Sequence, residues 1–492
     1  MRGDLARNAG SRMCLVLHRG QPAVHPWSQT CSIAYGAFIM AAGVFTRIAF
    51  VSIAVVAASS EAQVYYLPVE IPEHPDVNPV FFGESFGVDG NRIYVGGYGS
   101  DVQGEESPGG VYQFDADTLE YIQRYDPIVD PTGDTFGYSM EYYDGVLLVG
   151  AINAEMDSSF GRGAAYLINP FSGALLHTFD ESVDAAFGSQ FGVDVSINDV
   201  AIAIGAIGYN PGGAGRVFVY NAATNAFVIA LGPDPTTPDT LYGFAVDHND
   251  EYLVVSAPGS RNTNVQGAVY VYDFVTGVRL HRFTSPIPDL AGTGEFGTGM
   301  ELVGDRLFVG AGPQAPGGVR GTVTVYDLPT GNIITTLSGS AGDDADAFGE
   351  AISADGSTLV VGAPQDRSFD GDPTGAVYIF DLDTYEMIDK VYPPAPTSDH
   401  VLFGRKVKVQ DGRILTSSFD EILFDDRIQS AYVLREFCRP DLNFDGSVDF
   451  FDVSVFLSAF ASGDPVADFT SDGEFDFFDV SAFLSAFGEG CP

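Results

Sequence analysis

The chain has 492 residues, with 23 Lys and Arg against 66 Asp and Glu, a formal charge of -43. That excess repels phosphate backbones and anionic lipid, so nucleic-acid binding is excluded and cations or cationic partners are favoured. Its 58 Gly, 38 Phe and 23 Tyr describe a turn-rich, aromatic-rich chain, which suits many short strands and predicts a mainly β protein.

Residues 1–39 have no periodic pattern and precede "MAAGVFTRIAFVSIAVVAASSEAQ", Met40 to Gln63. Arg47 in a short leading region, the apolar run Ile48 to Ala58, and small residues at Ser60 and Ala62 read as a secretory signal over 40–62. Residues 1–39 are then an upstream extension foreign to the mature chain. The apolar run is shorter than the ~20 residues a spanning helix needs; an uncleaved anchor is the alternative, and after cleavage no transmembrane anchor is expected. The mature chain keeps 18 basic and 64 acidic residues and two cysteines, Cys438 and Cys491. In an oxidising compartment these are expected to form a disulfide around the end of the chain; two thiols, free or paired to other molecules, are the alternative.

Between residues 63 and 436 one pattern recurs. Aromatic-Gly pairs stand at Phe82, Phe136, Phe191, Tyr242, Phe296, Phe348 and Phe403, at spacings of 51 to 55 residues. Fourteen positions after each aromatic the residue is small: Gly96, Gly150, Gly205, Ser256, Gly310, Gly362 and Ser417. A third strand such as "GAVYVYD" and a turn such as Thr276-Gly277 lead to a fourth, as in "VRLHRF". Four strands per unit predict seven four-stranded antiparallel blades of a β-propeller. Asp144-Gly145 and Asp355-Gly356 supply the positive-φ residues that tight hairpins require. A linear solenoid is the competing arrangement. The last unit lacks a fourth strand while an unpaired piece, Val64 to Ile71, precedes the first, so donation of that piece would hide both edges and favours a closed ring.

The "FG" and "VGAP" words resemble FG-GAP repeats, the blades of the integrin alpha-subunit head and of many secreted bacterial proteins. That resemblance implies an extracellular binding propeller. Calcium-binding members carry alternating acids in the first hairpin, whereas here the turns are as short as "YYDGV", so no calcium is expected in the propeller.

The tail, 438–492, writes one unit twice: "DLNFDGSVDFFDVSVFLSAF" and "DFTSDGEFDFFDVSAFLSAF". Alternating oxygen ligands around a sharply turning Gly suit a hard cation, so each copy reads as a calcium loop followed by a helix. The ligands are Asp441, Asn443, Asp445, Ser447 (through its carbonyl), Asp449 and Asp452 in one copy. Asp468, Thr470, Asp472, Glu474 (through its carbonyl), Asp476 and Asp479 serve in the other. Two calcium ions are expected. The apolar positions Val453, Phe456, Leu457, Phe460 and Val480, Phe483, Leu484, Phe487 fall on one helical face each, and the two faces are expected to pack together. The tail resembles a type I dockerin, a module that docks on a cohesin-like or other cell-surface partner, commonly to recruit polysaccharide-degrading proteins. The pairs Phe450-Phe451 and Phe477-Phe478, beside the helix starts, mark the expected docking surface; packing on the chain's own propeller is the alternative.

No nucleophile elbow, phosphate loop or zinc spacing occurs, and His74, His177, His248, His281 and His400 are scattered. No catalytic residues are assigned. With so many carboxylates, glycosidase-like acid pairs arise by chance. The longer loops between second and third strands carry Tyr98, Phe160, Tyr209, Asp366, Phe369, Asp370 and Phe419, a candidate face for a glycan or an extracellular protein; solvated loops are the plainer reading. The expected protein is therefore a secreted, surface-associated binding or adhesion protein, with enzymatic activity left open; if it is an enzyme, a hydrolase of O-glycosyl bonds is expected. A carbohydrate-active hydrolase or lyase, and a structural component of an extracellular assembly, are the rival readings.

Overall fold

The computed structural model describes residues 65–72, 81–100, 106–126, 135–154, 162–180, 190–208, 215–233, 241–258, 267–287, 296–311, 321–339, 346–367, 374–394, 401–419, 429–437, 439–443, 447–463, 465–469 and 475–490. The expected signal over 40–62 and the stretch 1–39 lie outside them.

Each aromatic-Gly unit folds as a four-stranded antiparallel meander. The third unit is typical, running β10 (Phe191–Ile197), β11 (Ala201–Ala206), β12 (Arg216–Asn221) and β13 (Phe227–Leu231) in sheet order. A single parallel bridge, Gly109 to Phe136, ties the first unit to the second, and Gly163 to Phe191 and Gly375 to Phe403 make the same link further along. The last unit has three strands of its own, β26 (Val407–Gln410), β27 (Arg413–Phe419) and β28 (Gln429–Phe437). Its fourth place is taken by β1 (Tyr65–Glu70), antiparallel to β28 from Tyr65 opposite Phe437 to Glu70 opposite Tyr432. The donated strand expected over Val64–Ile71 is thus present, and residues 323 apart in sequence are tied by Tyr66 N donating to Asp389 Oδ2 at 2.9 Å.

The small residue fourteen positions on has a steric cause. A Cβ at Gly96, Gly150, Gly205, Gly310 or Gly362 would lie 1.8 to 2.2 Å from the carbonyl oxygen of the next unit's aromatic-Gly glycine. At these five junctions a Cβ would strike that carbonyl. The fourth and seventh units hold Ser256 and Ser417 at the same position, and there the approach is looser: a Cβ on Gly297 would meet Ser256 Cβ at 3.2 Å, and one on Gly83 would meet Ser417 Cβ at 3.0 Å. All seven aromatic-Gly glycines hold φ between +88° and +96°, a backbone region that L side chains avoid.

Seven apolar clusters hold the sheets, and each spans two consecutive units. One joins Leu148 and Phe191, another Phe308 and Phe348, and the cluster of Phe82 and Val88 takes in Leu415, Ala431 and Val433 of the seventh unit. Side chains on the first strands add a hydrogen bond at every junction. Ser85 Oγ donates to Gly137 O at 2.7 Å, Glu141 Oε2 accepts from Ile197 N at 3.0 Å, and Asp194 Oδ2 accepts from Val246 N at 2.8 Å. Asp247 Oδ2 accepts from Leu302 N at 2.9 Å and Glu301 Oε1 from Ala354 N at 3.0 Å. Ser353 Oγ accepts from Val409 N, and Gln410 Oε1 from Val88 N, both at 3.1 Å. Each bond runs from one unit to the next, and the last returns from the seventh to the first.

The tail contains two helices, α1 (Phe450–Ser462) and α2 (Phe477–Glu489), with their own core. Phe456 and Phe483 stack across the pair with centroids 4.0 Å apart and planes 3° from parallel. Leu457 and Leu484 depart from the expectation: they are 57% and 55% exposed. The buried stripe of α1 runs through Asp452, Phe456 and Ala459, and Leu457 lies a further ~100° around the helix from Phe456. The duplicated leucines therefore face outward.

Candidate functional site

The first strands of all seven sheets line one cavity of ≈ 400 Å³, and its wall is strongly polar. Charged residues recur five positions after the aromatic, as Glu141, Asp247, Glu301 and Lys408, with Asp194 and Lys406 two positions nearer the aromatic. Lys406 Nζ pairs with Glu84 Oε1 at 3.0 Å, and Lys408 Nζ lies 3.8 Å from Glu141 Oε1. Glu84 is 3% exposed, and its Oε2 has no hydrogen-bond partner among the described residues.

Burial dominates the electrostatics here. It raises Asp194 to about 7, helped by the Glu141 charge and opposed by the Val246 amide. Asp247 and Glu301 are both pushed up, by burial first and then by neighbouring carboxylates, Glu141 for Asp247 and Asp247 for Glu301. Burial alone would pull Lys408 down, but Glu141, Glu301, Asp247 and Asp194 hold it above its ordinary value. Lys408 therefore faces four carboxyl groups, and the charge of Lys406 bears on one of them, Asp194. His248, beside Asp247, is drawn down to about 4 by burial, with Nδ1 2.8 Å from Ser196 Oγ and Nε2 3.2 Å from Ala201 O. It is neutral at pH 7.

Sequence reasoning did not find this cavity. The signal is a charge written in phase inside apolar strands: "FGYSMEY", "YGFAVDH", "FGTGMEL" and "FGRKVKV".

The residues expected on the loop face are placed differently from one another. Tyr98 stacks on Phe81 at 4.7 Å, and Phe81 stacks in turn on Phe419 at 5.8 Å, which joins the first unit to the seventh. Tyr98 also meets Tyr138 at 5.6 Å, and Arg405 lies over Phe419 at 5.3 Å. Phe419 is buried, and so is Asp366, which is 0% exposed, pairs with Lys390 Nζ at 2.9 Å and accepts from the Tyr378 hydroxyl. Asp366 therefore cross-links its sheet from within. Phe160, Tyr209, Phe369 and Asp370 lie outside the described residues.

In the tail, Asp449 and Asp476 are the N-caps of α1 and α2, and Asp452 and Asp479 complete capping boxes. Asp449 Oδ1 accepts from Phe451 N at 2.8 Å, and Asp476 Oδ1 from Phe478 N at 2.7 Å. Asp452 spans its loop: Oδ1 accepts from Asn443 N at 3.1 Å and Oδ2 from Asp449 N at 2.8 Å. Asp479 Oδ2 accepts from Asp476 N at 2.9 Å. Asp452 and Asp479 are wholly buried, and Asp441 is buried at the entry of the first loop. A buried carboxylate that gathers both ends of the first loop is the donor type a hard cation takes, although among the described residues no three such groups converge on one point. Ser447 is exposed at the first loop's exit, whereas Asp445, Thr470, Asp472, Glu474, Cys438 and Cys491 lie outside the described residues. Arg439, which the pattern did not single out, ties the halves together: Nη1 donates to Phe469 O at 3.0 Å, Nη2 to the carbonyl of Asp468, and the guanidinium lies 4.3 Å from the Phe469 ring centre. Phe450 and Phe477 are each 75% exposed, Phe451 and Phe478 each 65%.

The family described as FG-GAP repeat matches residues 334–380, from the last strand of the fifth unit through three strands of the sixth. No curated protein matches the chain. Among the described residues no helix is long and apolar enough to cross a membrane.

Proposed function

We propose that the chain is a secreted, surface-associated binding protein, in which a closed seven-bladed β-propeller is presented by a calcium-dependent, dockerin-like tail. The observation that carries the propeller is the return of the seventh unit to the first, through β1 on β28, Gln410 on Val88 and the shared core of Phe82 with Leu415. The FG-GAP match in the fifth and sixth units supports the same reading and its extracellular, adhesive setting. For the tail, support comes from four exposed phenylalanines in two equivalent pairs, each beside a capped helix start. Such apolar side chains are stable in water only at a cost that an interface removes.

Two calcium ions, held by the loop residues from Asp441 to Asp452 and from Asp468 to Asp479, would fix the angle of those helix starts. The Cys438–Cys491 disulfide would close the module, and a cohesin-like or other surface protein would receive it. The propeller would then display a face for a glycan or extracellular protein. Binding of the full chain to a cohesin-displaying surface, with calcium and with chelator, tests the docking half. The account expects binding only with calcium, and its loss in Phe450→Ser/Phe477→Ser. Calcium-independent adhesion, or adhesion unchanged by those substitutions, would contradict it. A glycan array followed by reducing-sugar release tests the display half: binding without turnover supports it, and turnover would make the protein an enzyme.

A further inference from the structure

We infer that the cavity between the seven first strands is a binding site for a linear polyamine, a flexible chain carrying two or three ammonium groups. The inference rests on the closed arrangement proposed above, and it concerns what that arrangement encloses.

Charge counting leads to the ligand class. Lys406 pairs with Glu84 at 3.0 Å and its charge also bears on Asp194, while Glu141, Asp194, Asp247 and Glu301 together face Lys408. Ionised together, these four carry three negative charges more than the lysine neutralises. Burial first, and then the neighbouring carboxylates, raise Asp194, Asp247 and Glu301, so without a further cation the wall relieves part of the excess by holding protons. A second and independent observation points the same way: Glu84, a buried residue of the cavity lining, has no hydrogen-bond partner for its Oε2 among the described residues, an acceptor that an N–H donor would satisfy.

The shape of the charge distribution then selects among cations. Among the described residues no three carboxyl, imidazole or thiol groups converge closely enough to hold a metal ion. The carboxyl groups belong to the second, third, fourth and fifth sheets, with Asp355 on the sixth, and so are spread around the wall, and Glu84 adds a separate acceptor on the first. A point charge reaches one or two of them. A chain with ammonium groups a few methylenes apart reaches several, and the ≈ 400 Å³ cavity has room for it. Tyr138, which lines the cavity and meets Tyr98, offers an aromatic face to the alkyl links and to an ammonium.

Binding has a proton balance that structural protonation alone lacks. When an ammonium chain enters near pH 7, protonated carboxyl groups among Asp194, Asp247 and Glu301 ionise, and their protons pass to the buffer. Titration calorimetry of the full calcium-saturated chain with spermidine, in two buffers of different ionisation heat, reads that release directly. Salt of about 0.15 M screens adsorption to the acidic surface. The expected result is one saturable site with proton release, and affinity reduced at least ~10-fold in Asp247→Asn/Glu301→Gln. These substitutions keep an oxygen for the Leu302 and Ala354 amides, so the junctions retain their bonds; Glu84→Gln is a second variant should the pair fail to fold. Asp305→Asn, in a hairpin turn away from the cavity wall, should bind like the parent. Absence of a saturable site, equal binding by the cavity variants, or the same heat from magnesium chloride would overturn the inference. Loss of closure would show separately, as a deletion of Tyr65–Glu70 that melts like the parent.

Discussion

Gly310 sits under the Gly349 carbonyl, where an added Cβ would come within 1.8 Å of the oxygen, and neither backbone can yield without opening the junction of two units. Gly310→Ala should therefore cost several kcal/mol, in the range of overpacked cores. Gly356→Ala, in a hairpin with nothing within 4 Å but with φ +58°, should cost only ~1 kcal/mol. Thermal melts of the two variants check this, and equal losses would remove the close approach as the reason for the repeated small residue. At the cavity wall, burial raises Asp194 and Asp247 to about 7 and Glu301 to about 8 in the folded state, so between about pH 4 and pH 8 the native chain holds protons that the unfolded chain has released. Stability of the sheets should then be full below about pH 4 as far as these groups are concerned, and fall as the pH rises towards about 8. Glu301→Gln should flatten that slope, and an unchanged slope in a pH series of melts would contradict the assignment. The small residues and the aromatic-Gly pairs were legible in sequence because their constraint is a fixed backbone geometry repeated seven times. Asp366 was not: it reads as a loop acid, and only the fold brings Lys390, 24 residues on, to bury and pair it.

β1 shows how an element can be legible from what its neighbours lack. A last unit with three strands and an unpaired strand at the other end predicted the pairing that Tyr65–Glu70 makes with β28. Deleting Tyr65–Glu70 removes a full ladder and the cover over the Val69–Val433 side of the first apolar cluster. The large melting transition should fall by at least ~5 °C, with aggregation through the bared edge of β28. Melting like the parent would argue for another closure. The helices were less legible. Their period was correct, but which stripe turns inward depends on where the partner helix and the loop carboxylates lie, so Asp452 is inside and Leu457 outside. Phe456→Ala removes the ring stacked on Phe483 and should cost ~3–5 kcal/mol, enough to unfold a tail of this size while the sheets melt as before. The in-phase charges of the first strands were hidden for a related reason: each charge stands apart in its own repeat, and only the convergence of seven first strands on one space brings them together.

On the scale of the whole molecule, the account divides stability between two parts held by different physics. The sheets are held by seven apolar clusters and a hydrogen bond at each junction, with no metal in the proposed scheme. The tail buries a small core of paired phenylalanines and places buried carboxylates at its loops, and in the proposed scheme cation binding would be part of its folding energy. Differential scanning calorimetry of the full chain with calcium and with excess chelator separates the two most directly. The account predicts two transitions, of which chelation removes the small one and leaves the large one in place, and Asp445→Ala/Asp472→Ala should reproduce the effect of the chelator. A large transition that falls on chelation as much as the small one would place metal within the sheets and contradict the account.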